Sequence, residues 1–97
     1  MSVFDFFRRK QRPRLVSGGS GDSFQTAVVI HADSSFIGVK VEYAYIADQC
    51  GEPQTDWKVQ SQRLEHFDGR PFDVLTVALS GGETRSFYFD ISSFFKR

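Results

Sequence analysis

The chain has 97 residues, 40% hydrophobic and 25% charged, with twelve Lys+Arg against twelve Asp+Glu and a formal net charge of zero. That composition is the composition of one small folded domain, and it excludes a wholly disordered chain and a polybasic protein. There is no Asn, hence no N-glycosylation acceptor, and the single cysteine, Cys50, excludes an intramolecular disulfide.

A lone cysteine suits a reducing compartment. No apolar run approaches the roughly 18 residues of a membrane span. The start is charged by residue 8, which does not match a secretory signal. A cytoplasmic protein is therefore expected, with peripheral attachment to a membrane as a variant of that expectation.

The zero net charge is a sum of unlike parts. Residues 1–16 hold Arg8, Arg9, Lys10, Arg12 and Arg14 against Asp5, a net +4. Residues 17–23 hold only Asp22, and residues 24–97 carry a net −3. The expected organisation is a basic, aromatic and disordered arm over 1–16, a flexible Gly/Ser linker over 17–23, and a globular domain over 24–97. A linker of that composition has a reach of about 15 Å.

On a helix, Val3, Phe4 and Phe7 of the arm share a face flanked by Arg8, Arg9 and Arg12. Such a segment suits a bilayer interface, with Phe at the acyl boundary and Arg at anionic headgroups, or a groove on a protein. The candidate docking residues are Phe4, Phe6, Phe7, Arg8, Arg9, Lys10, Arg12 and Arg14. Asp5-Phe6-Phe7 followed by Arg9-Lys10 resembles the membrane-anchoring start of the bacterial cell-division topological specificity factor. The likeness covers about ten residues, and no motif of that family occurs in 24–97, so it carries no function over.

Residues 24–32 are rich in β-branched side chains and predict a strand. Asp33-Ser34-Ser35 supplies helix-capping residues, and Gly51 a terminator. Between them Phe36, Val39, Tyr43, Ile46, Ala47 and Cys50 fall on one helical face. Ile37, Val39, Val41, Tyr43 and Tyr45 also alternate at the period of a strand, but the caps and the length favour a helix over 36–50. A strand is expected over 57–67, ended by Asp68-Gly69-Arg70-Pro71, and a central strand over 72–80. Gly81-Gly82 predicts a two-residue hairpin that sets Val74 opposite Phe89 and Thr76 opposite Phe87. A turn of helix is expected after Ile91, folding Phe94 and Phe95 over an apolar rim. The expected fold is α+β, a single small domain in the order β-α-β-β-β, with one helix on one face of an antiparallel sheet and a short C-terminal helical turn.

Catalytic and metal signals are weak. His31 and His66 are remote in sequence from Cys50, and a thiol ending an apolar helix face is ordinarily inert. Asp48, Glu52 and Asp56 straddle a helix end and a proline loop, and no metal-ligand spacing occurs. Gly18-Gly19-Ser20-Gly21 lacks the Lys-Ser/Thr of a phosphate-binding loop. Phe87-Tyr88-Phe89 would stack bases only if exposed, on a domain whose net charge repels phosphate. No catalytic residue, cofactor or metal is expected.

The expectation is a non-enzymatic binding or adaptor protein that docks on a protein or an anionic membrane surface through its arm. Two alternatives are a nucleic-acid accessory protein using the arm as a phosphate clamp, and a domain whose arm is a functionless tail. An edge strand at 24–32 or 57–67 would support a homodimer.

Overall fold

The computed structural model describes residues 15–95. The arm residues Phe4, Phe6, Phe7, Arg8, Arg9, Lys10, Arg12 and Arg14 lie outside them. The elements are β1 (Val16–Gly18), β2 (Val28–Ile30), α1 (Ser35–Cys50), β3 (Trp57–Phe67), β4 (Arg70–Leu79) and β5 (Thr84–Asp90). They form a compact α+β domain with one five-stranded sheet ordered β1-β2-β5-β4-β3. The β-α-β-β-β order stands, with one short strand added before it.

Two features of the sheet differ from expectation. β2 and β5 run parallel, so the sheet is mixed rather than antiparallel. β3, β4 and β5 form a meander of tight reversals, and α1 crosses from β2 to β3 at the far edge of the sheet, so that the meander brings β5 back beside β2. Ser17 and Gly18 also belong to β1, paired with Val29 and Val28 of β2, rather than to a linker. The residues that follow are tied down as well: the Gly19 N–H donates to Ala27 O (3.0 Å) and the Gly21 N–H to Thr26 O (2.7 Å). The Tyr88 N–H then reaches Gly21 O at 2.8 Å. Glycine here permits close packing rather than looseness, since Gly21 has φ 93 and lies beside the Val28 side chain. Flanked by β1 and β5, β2 is interior, so of the two expected edges only 57–67 is one.

The turns exchange their expected geometries. Asp68 (φ 54) and Gly69 (φ 79) make the two-residue reversal, between paired Phe67 and Arg70. The Gly81-Gly82 turn is longer: the Leu79 N–H donates to Glu83 O at 2.8 Å, and only Gly82 has positive φ. Its pairs are therefore Val74–Tyr88, Leu75–Phe87 and Asp73–Phe89, one residue from the expected register. A slip of one residue exchanges faces. Leu75, Val77, Phe87 and Phe89 pack in the core cluster with Val28, Ile30, Val41 and Ile46. Phe72 and Val74, also fully buried, lie on the opposite face. There Phe24 stacks on Phe67 (4.6 Å) and meets Phe72 and Tyr88 edge-on.

The helix begins and ends where its caps dictate. Ser34 Oγ accepts from the Ile37 N–H, and Gly51, at φ 107, donates its N–H to Ala47 O (2.8 Å). Its buried stripe is Gly38, Val41, Glu42 and Ile46. Phe36 and Tyr43, expected on that stripe, are exposed, because tertiary contacts rotate the helix so that Gly38 receives the Phe94 ring. A Cβ at Gly38 would run into that ring. Phe94 reaches it through the expected C-terminal turn, in which the Phe95 N–H donates to Ile91 O at 2.9 Å.

Candidate functional site

At the N-terminal end of α1 the helix, the sheet and the C-terminal turn do not close on one another. The space between them is a solvent-open cleft of about 500 Å³. Asp33, Ser34 and Ser35 of the helix cap form one rim, and Val39 of α1 one wall. Leu64 and Asp73, directly paired across β3 and β4, form the floor. Ile91, Phe94 and Phe95 close the remaining side. The lining is largely apolar, and no Lys or Arg contributes to it among the described residues.

Two observations mark this end of the molecule. Leu64 is 49% exposed and Phe36 67% exposed, so the open cleft floor and the first helical turn present hydrocarbon to water. Second, Glu42, one turn along the helix from Val39 and Gly38, is wholly inaccessible, and neither carboxyl oxygen meets a hydrogen-bond donor. The group facing it is another carboxyl, Asp73. Burial first, and Asp73 second, push Glu42 up from its ordinary value of 4.5 to about 10. At neutral pH Glu42 is therefore a neutral acid beside the cleft floor.

The histidines and the cysteine stand apart from one another. Cys50 ends α1, about 24 Å along the helix from its start. His66 meets Phe95 edge-on near the cleft. His31 lies 2.7 Å from Ser17 Oγ, a nucleophile-to-base distance, but no carboxylate bonds to its ring among the described residues. Asp56 Oδ2 accepts from the Glu52 N–H at 2.7 Å, closing a turn. Among the described residues no group of three His, Cys, Asp or Glu side chains gathers to hold a metal ion. Phe87 and Phe89 are fully buried and edge-on to Tyr45, so they are core rather than a stacking surface. No helix among the described residues is long and apolar enough to cross a membrane.

Comparison with protein-family models, with curated proteins and with solved structures finds no match. The cleft was not legible in the sequence. Glu42 interrupts an apolar pattern and reads as a solvated position, and nothing local brings Leu64, Asp73 and Phe94 together. The available signal was the mismatch itself, a carboxylate within the stripe that includes Val39 and Ile46.

Proposed function

We propose that the chain is a small non-enzymatic binding module whose ligand site is the cleft at the N-terminal end of α1. The observation that carries this reading is an apolar, open cavity of about 500 Å³ with a few polar groups converging on it. Its size falls within the range of small-molecule sites, roughly 300–1,000 Å³. The arm adds a second docking element. Phe4, Phe6 and Phe7 anchor it on an anionic membrane surface or a protein groove, while Arg8, Arg9, Lys10, Arg12 and Arg14 steer it, which makes this a cytoplasmic protein with peripheral attachment.

Each element has its own test. The uncharged dye N-phenylnaphthylamine should bind the wild-type chain with enhanced fluorescence, and Leu64→Ser should weaken that binding severalfold without lowering stability. Unchanged dye binding in Leu64→Ser removes the cleft reading. For the arm, sedimentation with phosphatidylserine vesicles should be lost in a Phe4/Phe6/Phe7→Ser variant. Retained sedimentation means that the aromatic residues are not the anchor.

A further inference from the structure

Resting on the cleft as a binding site, we propose that its resident occupant is this chain's own arm. Phe4, Phe6 and Phe7 fill the cleft in cis, and the basic residues behind them face Asp33 and Asp73. Docking of the arm elsewhere then uncovers the cleft.

The point where the described chain begins puts the arm at the cleft end of the sheet. Leu15 is the first described residue, and its carbonyl accepts from the His31 N–H at 2.8 Å. His31 stands two residues before Asp33 on the cleft rim. The C-terminal turn that closes the cleft meets the same place, with Ser93 Oγ donating to Ile30 O at 2.6 Å. The cleft floor on β4 lies three strand spacings from β1, about 14 Å. Phe7 is eight residues before Leu15 and Phe4 eleven. An extended chain spans roughly 3.3–3.6 Å per residue, so even Phe7 ranges to about 27 Å. All three rings reach the cleft with slack.

Arm and cleft are complementary in hydrocarbon and in charge. Val39, Leu64, Phe94 and Phe95 form apolar walls, and half of Leu64 is left in water. A cavity of about 150 Å³ holds one benzene ring, so the cleft, at about 500 Å³, takes at least two of the three Phe rings. Asp33 and Asp73 are its charged lining, and no Lys or Arg of the described residues opposes them there. Lys40 lies over the Phe36 ring (4.5 Å), and Arg63 pairs with Glu65 (2.9 Å). Residues 1–14 bring five basic side chains against Asp5 alone, and Arg8 follows Phe7 directly. Rings seated between the walls therefore leave cations at an acidic rim. The opening at the other end of α1 suits the arm poorly, since Asp56, Ser80, Glu83 and Arg85 line it.

The rings supply the hold, because exposed ion pairs contribute little, and the charges orient the arm. A short tether keeps the arm at an effective concentration in about the millimolar range, so a contact too weak between separate molecules closes within one. The same rings cannot fill the cleft and an outside surface at once. Whatever binds the arm frees the cleft, and whatever fills the cleft releases the arm, by the reciprocity of linked equilibria.

The test puts a nitroxide on the full chain at Ser2→Cys, with Cys50→Ser leaving one thiol, and reads the loss of amide signals. Val39, Leu64 and Phe95 should lose more intensity than Gln49 and Ser80 at the other end of α1. The loss should survive dilution. It should be absent when spin-labelled chains are mixed with isotope-labelled chains that carry no nitroxide; loss in that mixture makes the occupant a second copy's arm and overturns docking in cis. Phe4/Phe6/Phe7→Ser should abolish the selectivity and, without the nitroxide, tighten N-phenylnaphthylamine binding severalfold by removing the competitor. Equal loss at both ends, or unchanged dye affinity in that triple variant, overturns the proposal. Leu64→Ser added to the triple variant tests the cleft without its arm and should weaken dye binding. If it does so while no selective signal loss occurs, the arm assignment fails and the cleft reading survives. If the triple variant binds no dye, both fail.

Discussion

Glu42 and Ile46 stand one helical turn apart on the same buried stripe of α1, and neither has any accessible surface. Their surroundings are opposite in character. Around Ile46, at the C-terminal end of the helix, the described groups are matched: Trp57 Nε1 donates to Gly51 O at 2.9 Å, and the Gly51 N–H closes on Ala47 O. Around Glu42 a carboxyl has no donor, and a cleft lies open toward Leu64. The same helix thus has an end optimised for cohesion and an end that gives up cohesion. Burying an unmatched acid opposes folding, and such concessions concentrate where a protein binds something.

The largest effect should come from the closed end. Ile46→Ala removes a fully buried side chain from the core cluster and should cost about 2–5 kcal/mol in urea unfolding. A smaller loss would mean that the C-terminal end is less tightly packed than its burial implies.

The open end should show itself as an inverted pH dependence. Glu42 binds its proton more tightly folded than unfolded, so its contribution is full below about pH 4.5 and is lost as pH rises toward about 10. Between those limits the unfolded state binds fewer protons at this site, so this contribution to stability falls as pH rises. Glu42→Gln should remove that fall, so its stability relative to wild type should climb between pH 5 and 9 in chemical denaturation. Parallel curves for the two proteins would show that Glu42 ionises freely.

Gly38→Ala sharpens the boundary between the two ends. Alanine favours the helix by about 1 kcal/mol, but its Cβ enters the space of the Phe94 ring. Over-packing of about 1–3 kcal/mol should win, giving a modest net loss that Phe94→Leu relieves in the double variant. Smallest is Ser34→Ala, which removes the side-chain acceptor for the Ile37 N–H and should cost about 1 kcal/mol. The same change should leave dye binding in the cleft nearly unaltered, since Ser34 only lines the rim.

The residues explain how much of this was legible beforehand. Helix limits follow from Ser34 and Gly51, whose capping acts within four residues. The limits of β3 follow from Trp57 and the Asp68-Gly69 reversal, where both φ values are positive. The register across the 80–82 turn was less legible, because Gly-Gly is compatible with more than one loop length. That single slip moved Phe72 and Val74 to the opposite face from the helix. The candidate site was illegible for a related reason: Val39, Leu64, Asp73 and Phe94 are brought together only by packing.

By itself the sequence determined the α+β class, the element order, the helix and its ends, and the charge asymmetry of a basic arm before an acidic domain. These rest on local chemistry: caps, turn residues, periodicity and charge. Only the tertiary structure decided that residues 16–18 form a strand, that β2 and β5 run parallel, and that Glu42 is buried against Asp73. Each is a pairing between distant segments, settled by which surfaces exclude water together, and no short stretch of chain carries that information.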